Sequence, residues 1–158
     1  MLLKELCNLK IGTITNRYQD RNGSPYKILK MNYINRSENY FKLSADDVAI
    51  FLHGQMLAVT VEDCDNVVAP SSFAVLSNLD LSVVDKWFLI YSINNFTSSK
   101  LFFEQYSILG TSLRVMQINA LKNLRLTLPE LDVQKTIGEC YKKICDKRRY
   151  NRELIEHE

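Results

Sequence analysis

Glycine and histidine are scarce in this chain, and their scarcity removes several chemistries at once. The five glycines are spread singly along 158 residues, so no glycine-rich loop is available to cradle a phosphate or a nucleotide. The two histidines, His53 and His157, lie far apart in sequence, so a Ser or Cys nucleophile would have only His53 as its base. Neither an Asn-Pro-Pro-Tyr nor a Pro-Cys motif is present, which leaves methyl transfer without its usual residues. Cys7, Cys64, Cys140 and Cys145 contain no Cys-x-x-Cys pair, and we expect reduced, structural thiols and no metal site. Glu62, Asp63 and Asp65 read as an acidic turn between strands. No stretch is apolar for long enough to cross a bilayer, and Lys4 and Glu5 interrupt the start, so the expectation is a cytoplasmic protein with no membrane partner. No catalytic constellation remains, and the chain is expected to bind no cofactor itself.

Nearly half of the residues are hydrophobic (46%), enough for one proper core, with room for an appendage but not for a second ordinary domain. The net charge is only +2, yet it is unevenly distributed. Between Met1 and Lys42, Lys4, Lys10, Arg17, Arg21, Lys27, Lys30, Arg36 and Lys42 face only Glu5, Asp20 and Glu38. From Leu43 to Ser99 the balance reverses, with Asp46, Asp47, Glu62, Asp63, Asp65, Asp80 and Asp85 against Lys86 alone. Charge runs are ordinarily solvated faces. This polarity also suits a DNA reader, because release of counterions from phosphates supplies the sequence-independent affinity and an acidic far side opposes binding backwards.

The cationic quarter contains residue types suited to reading bases. Asn16, Arg17, Tyr18, Gln19, Asp20, Arg21 and Asn22 form a polar run that ends in Gly23-Ser24-Pro25, a loop with a turn at its tip. Arginine can donate two parallel bonds to guanine O6 and N7, and Asn or Gln can bond adenine at N6 and N7. A second cluster holds Lys30, Asn32, Tyr33, Asn35, Arg36, Ser37 and Asn39. Short strands are expected at 10–15 and around Tyr26, Ile28 and Leu29. The candidate DNA-binding set here is Asn16, Arg17, Tyr18, Gln19, Arg21, Asn22, Lys30, Asn32, Tyr33 and Arg36; such residues are also ordinary surface residues.

Further along, Ser82 with Asp85 at the capping-box position predicts a core helix carrying Val83, Val84, Trp87, Phe88, Tyr91 and Asn94 on one side. Thr97 or Ser98 caps a second, with Leu101, Phe102 and Phe103 as its apolar flank, broken by Ser107 and Gly110. Leu124, Leu126 and Leu128 alternate with Arg125 and Thr127 as in a strand with one buried face, which Pro129 ends by removing a ladder donor. Asp132 is placed to cap a helix running to the end of the chain, roughly 40 Å long at ~1.5 Å per residue. Within it Ile137, Cys140, Tyr141, Ile144, Asn151, Leu154 and Ile155 make a broken apolar seam, interrupted by Lys147 or Arg148, that calls for a partner helix. The competing reading is a surface helix folded back on its own domain.

The stretch 110–134 resembles the close of a target recognition domain in the specificity subunits of type I restriction-modification enzymes. The matching positions are Gly110, Thr111, Arg114, Leu121, Leu124, Leu126, Leu128, Pro129, Leu131 and Gln134. Leu6, Asn8, Leu9, Ile11, Tyr26, Ile28, Met31, Asn32 and Ile34 follow the opening of such a domain more loosely, and Asn66 to Leu76 resembles its buried strand pair. The stretch Gln55–Val61 lacks the arginine-glycine turn that the family carries there, which leaves the middle reading loop unassigned.

The resemblance implies an α+β fold: a mixed, twisted β-sheet target recognition domain over residues 1–131 with packing helices, and a long C-terminal spacer helix over 132–158. It implies a non-catalytic module that reads double-stranded DNA and directs a methyltransferase (M) subunit and a nuclease or translocase (R) subunit. S-adenosylmethionine, ATP and Mg are expected only on those partner subunits. Thr111, Ser112, Arg114, Lys122 and Arg125 join the DNA-binding candidates, the last three as phosphate contacts. A full specificity subunit has two recognition domains separated by helical spacers; this chain holds one of each, as a half or truncated subunit that regains two-site reading as a homodimer. The alternative is a helix-mediated interaction module or decoy that occupies a methyltransferase subunit without reading DNA.

Overall fold

The computed structural model describes residues 1–12, 25–29, 34–37, 43–60, 67–110 and 112–156, with 25–29 and 34–37 as backbone only. A short helix α1 (Leu3–Leu6) leads into β1 (Asn8–Ile11), followed by β2 (Pro25–Leu29), β3 (Ile34–Ser37), β4 (Val48–Phe51), β5 (Leu57–Val59), β6 (Val67–Val68) and β7 (Phe73–Ser77). Two helices, α2 (Lys86–Asn95) and α3 (Thr97–Tyr106), precede the hairpin β8 (Ile108–Leu109) and β9 (Arg114–Val115). A turn of helix, α4 (Ile118–Leu121), and the long α5 (Leu131–Glu156) complete the described elements. The fold is mixed α+β, as expected.

The central sheet is antiparallel in the order β1-β7-β4-β5, and a smaller mixed sheet, β3-β2-β6, pairs β2 with β6 in parallel. Side chains alternate across a strand, and here both faces are buried. Val48 and Ile50 of β4 and Ala74 and Leu76 of β7 face the main core, where Leu89, Ile90 and Ile93 of α2 and Phe103 of α3 meet them. Ala49, Phe73 and Val75 point the other way, into a second core with Leu43, Val67 and Ala69. That is why 73–76 reads as a continuous apolar run without alternation.

Helix α2 starts later than the sequence suggests. Asp85 is its N-cap, accepting from the Phe88 N–H at 2.8 Å, whereas Ser82 lies in the preceding turn, its N–H bonded to Asp80 Oδ1. Nor is α2 one-sided. Phe88, Leu89, Ile90, Ser92 and Ile93 are all buried, because the sheet covers one flank while α5 and α3 cover others. Helix α3 follows after Phe96 alone, with no side-chain cap from Thr97 or Ser98; the two helices are joined instead by Ser99 Oγ donating to the Ser92 carbonyl at 3.0 Å.

The leucine-rich segment before α5 forms no full strand. It makes a single bridge, Arg125 to Leu2, flanked by Leu3 N–H to Leu124 O at 2.9 Å and Leu126 N–H to Met1 O at 2.8 Å. Leu124 and Leu126 are buried while Arg125 is exposed, so the expected alternation holds without a ladder. Asp132 sits inside the first turn of α5, not at its cap, and its Oδ1 lies 3.9 Å from Lys135 Nζ on an open surface.

Burial raises the Cys7 thiol from its ordinary value of 9.0 to about 12. A neutral buried thiol reacts slowly. We expect native Cys7 to resist a thiol reagent that labels exposed Cys140 at once, with labelling of Cys7 only on unfolding. Because the folded pKa lies above the unfolded one, the thiol's contribution to stability is intact below pH 9.0 and falls as pH rises towards about 12. Urea midpoints compared with those of Cys7→Ala should show the wild type losing its advantage in that window; parallel curves would contradict it.

Candidate nucleic-acid interface

Among the residues proposed to read bases, Asn16, Arg17, Tyr18, Gln19, Arg21, Asn22, Lys30, Asn32 and Tyr33 lie outside the described residues, as do Thr111 and the acidic run Glu62, Asp63 and Asp65. Arg36 is placed by backbone alone, in β3 opposite Lys27 of β2. Two cationic features lie among the described residues, Thr111 of the first excepted.

The first is the β8–β9 hairpin. Gly110 N–H bonds Leu113 O at 2.8 Å, and a Cβ on Gly110 would meet that same oxygen at 2.8 Å, so the turn admits only glycine without a shift. Ser112 is exposed in this turn. Arg114 Nη1 donates to the Glu104 carbonyl at 3.2 Å and to Ser107 Oγ at 3.4 Å, satisfying the C-terminal end of α3 where a cation is favoured. Its guanidinium has other donors, so this structural task leaves room for an external phosphate. The backbone of β9 is held by Gly54 N–H to Arg114 O at 2.8 Å and Met116 N–H to Leu52 O at 2.8 Å. Beside it opens a cavity of about 440 Å³ lined by Gln55, Asn94, Lys100, Glu104 and Arg114 over an apolar floor that includes Ile93 and Phe103.

The second feature is the strip along which residues 1–4 lie beside 122–126. Lys4 N–H bonds Lys122 O at 3.2 Å, and Lys4 Nζ donates to Asn123 Oδ1 at 3.4 Å. Lys122 Nζ reaches Asn119 Oδ1 at 3.5 Å, and Arg125 is exposed next to them. The pairing thus gathers Lys4, Lys122 and Arg125 at one place, and puts Arg114 on a different element. Lys4 was not singled out from the sequence beyond its charge, since nothing local shows that residues about 120 apart will pair.

Helix α5 carries two stripes. One faces α2. Gln134 is buried, its Oε1 accepting from Asp85 N–H at 3.0 Å and its Nε2 donating to Val83 O at 3.0 Å and Pro129 O at 2.8 Å. One turn on, Gly138 lets the helices touch. A further turn on, the Tyr141 ring packs edge-on against Tyr91 at 5.3 Å, and its hydroxyl accepts from Asn94 Nδ2 at 3.2 Å. Asn94 in turn bonds both backbone groups of Ala58, Oδ1 from the N–H at 2.7 Å and Nδ2 to the carbonyl at 2.8 Å, covering the open edge of β5. So Tyr141, expected in a seam towards another helix, is used by the chain's own domain, and Ile137 is half-buried beside it.

The other stripe is open. Ile144 is 48% exposed, Leu154 52% and Ile155 72%; Cys140 and Asn151 are exposed too. Without Tyr141 and Ile155, which share a third position, the seam falls into a heptad, with Ile137, Ile144 and Asn151 at one core position and Cys140 and Leu154, with the interrupting Lys147 between them, at the other. From Lys147 to Ile155 every side chain is exposed. The first half of α5 is therefore docked and the second half is not covered by the described residues. The fold-back reading holds for the first half of the helix; the second half is exposed among the described residues.

Among the described residues no group of three or more His, Cys, Asp or Glu could hold a metal ion. None of their helices is long and apolar enough to cross a membrane.

No family model matches the sequence, and no curated protein does. Solved structures do. The chain superposes on the S subunit of a type I restriction-modification system from M. genitalium with a TM-score of 0.73 and 19% identity, over 99% of this chain and 41% of that one. A second match, from a study of complex assembly and conformational transition of the type I R-M system, has a TM-score of 0.64 and 16% identity, over 98% of this chain and 43% of the other. The chain thus has the fold of these proteins and spans less than half of their length, in agreement with the family resemblance of 110–134.

Proposed function

We propose that this chain, which has the S-subunit fold of type I restriction-modification systems, is a non-catalytic DNA-specificity module of such a system. The observation that carries the reading is the match over 99% of the chain, α5 included, at a TM-score of 0.73. In this reading residues 1–131 recognise double-stranded DNA and 132–158 form the spacer. The module directs an M subunit, and for cleavage an R subunit, which carry S-adenosylmethionine, ATP and Mg. The heptad stripe of α5 pairs two copies, so that the assembly reads two half-sites; the exposure of that stripe among the described residues supports this. Co-expression with a methyltransferase subunit followed by methylation mapping is the direct test. A split, inverted-repeat motif is the expected result, and methylation that does not depend on this chain would overturn it. The alternative, a module that occupies a methyltransferase subunit without touching DNA, predicts affinity that hardly varies with salt, whereas a reader loses affinity steeply as salt rises.

Two sets of variants refine the reading. Arg17→Ala or Arg21→Ala should weaken or relax recognition by about 1 to 3 kcal/mol if the arginine makes a bidentate guanine contact. Unchanged affinity and an unchanged methylated motif would remove that loop from the reading surface. Neutralising Lys122 or Arg125, which share a strip with Lys4, should lower affinity evenly across sequences and shallow the salt slope by about 1 per residue. Arg114→Gln should do the same and also lower stability, because it releases the carboxyl end of α3. A sequence-selective loss would contradict the phosphate role.

A further inference from the structure

From the geometry of the α2–α5 contact we infer that Gln134, Gly138 and Tyr141 are positioning residues that fix the direction of α5 on its domain, and through it the spacing between two half-sites. The second clause rests on the proposed function; the first does not. Three observations carry it. Gln134 is 1% exposed and spends its whole amide on backbone groups from two separate segments, the start of α2 and the segment before α5, so α5 can neither rotate nor slide without stranding buried donors and acceptors. Gly138 lies so close to α2 that a Cβ would clash with Asp85 Oδ1 and stand 2.9 Å from Phe88 N, which holds the axes together midway. Tyr141 makes the second polar anchor, through Asn94 to the edge strand β5. The three recur at spacings of four and three, on one face of the helix.

A joint of this kind matters because of the lever beyond it. From Gln134 to Arg152 the helix rises about 27 Å, so a tilt of about 10° at the joint moves its far end about 5 Å, more than the ~3.4 Å step of one base pair. A joint with two polar anchors and a close contact between them holds the helix against such a tilt; a single apolar contact would let it swing.

The test reads the helix direction itself. Spin labels at Ser71→Cys and Arg152→Cys, both exposed, are placed in a background with Cys64, Cys140 and Cys145 replaced by serine, and the labelled chain is diluted into excess unlabelled chain. The parent should give a narrow distance distribution. Gln134→Leu, close in volume but without polar atoms, should broaden or shift it, and Tyr141→Phe, which removes one hydroxyl, should do so to a smaller extent while far-UV spectra and the melting temperature of the Phe variant stay near the parent's. Distributions as narrow and as centred as the parent's in Tyr141→Phe and in any folded Gln134→Leu would overturn the joint. In cells with a methyltransferase subunit, the loosened variants should methylate the same half-sites at more than one spacer length. Half-sites lost with the spacer unchanged would overturn the link to spacing, and a parent chain that directs no methylation would overturn the specificity reading while the distance measurement still decides the joint.

Discussion

Replacing Gly138, which is buried against α2, with valine should destabilise the domain by about 2 to 4 kcal/mol. The new side chain has nowhere to go: its Cβ would overlap Asp85 Oδ1 and press on Trp87 Cβ at 3.1 Å. Asp85 would have to leave its position, and with it the cap bond to Phe88, worth about 1 kcal/mol, while overpacking between α2 and α5 adds about 1 to 3 kcal/mol. Valine's better helix propensity than glycine returns only a few tenths of a kcal/mol. For a chain of this size the melting temperature should fall by roughly 4 to 16 °C. Lys143→Val, on the exposed side of the same helix, should change stability by no more than about 0.5 kcal/mol. Equal melting temperatures for the two variants would show that α5 does not press on α2 at Gly138.

Ile144→Asp should abolish self-association and leave the domain folded. Ile144 is half-exposed and lies on the heptad stripe, away from α2, so a carboxylate there is solvated in the monomer and its fold is undisturbed. In a pair of helices it would sit in the apolar seam without a partner. A two-fold axis presents the change twice, and at about 2 kcal/mol each the loss is roughly 4 kcal/mol, on the order of a 10³-fold weaker dimer. In such a pair Asn151 and Lys147, on the same stripe, would set register at a cost in strength, so Lys147→Leu should tighten it. Sedimentation is the measurement. An unmodified chain that remains monomeric at high concentration with DNA present would remove the dimer and favour a subunit completed by a different partner, and an Ile144→Asp chain that still pairs would place the seam elsewhere on α5.

Local pattern makes legible a strand at Pro25–Leu29, two helices followed by a break at Ser107 and the long last helix, while the strand expected at 10–15 overlaps β1 (Asn8–Ile11) only at Lys10 and Ile11; the α+β class and the strand within 66–76 come from the family resemblance. The locally legible elements follow from helical spacing, short apolar runs and turn residues within a dozen positions of one another. Gln134 is marked out by resemblance alone, and a lone glycine inside a helix, as at Gly138, is by local pattern only a weakness. Only the packing of α5 on α2 gives either a task, since a buried amide among three backbone groups and a missing Cβ at a helix crossing are properties of two segments about 50 residues apart. The start of α2 moved from Ser82 to Asp85 for the same reason: Gln134 holds the Asp85 N–H from outside the local sequence. Likewise the chain order places Lys4 far from Lys122 and Arg125, and backbone pairing of the first residues with 122–126 brings them together. The heptad on α5 is written in sequence, but which of its neighbours was free to face a partner was decided by the fold, because Tyr141 had already been taken up by Asn94 and the edge of the sheet.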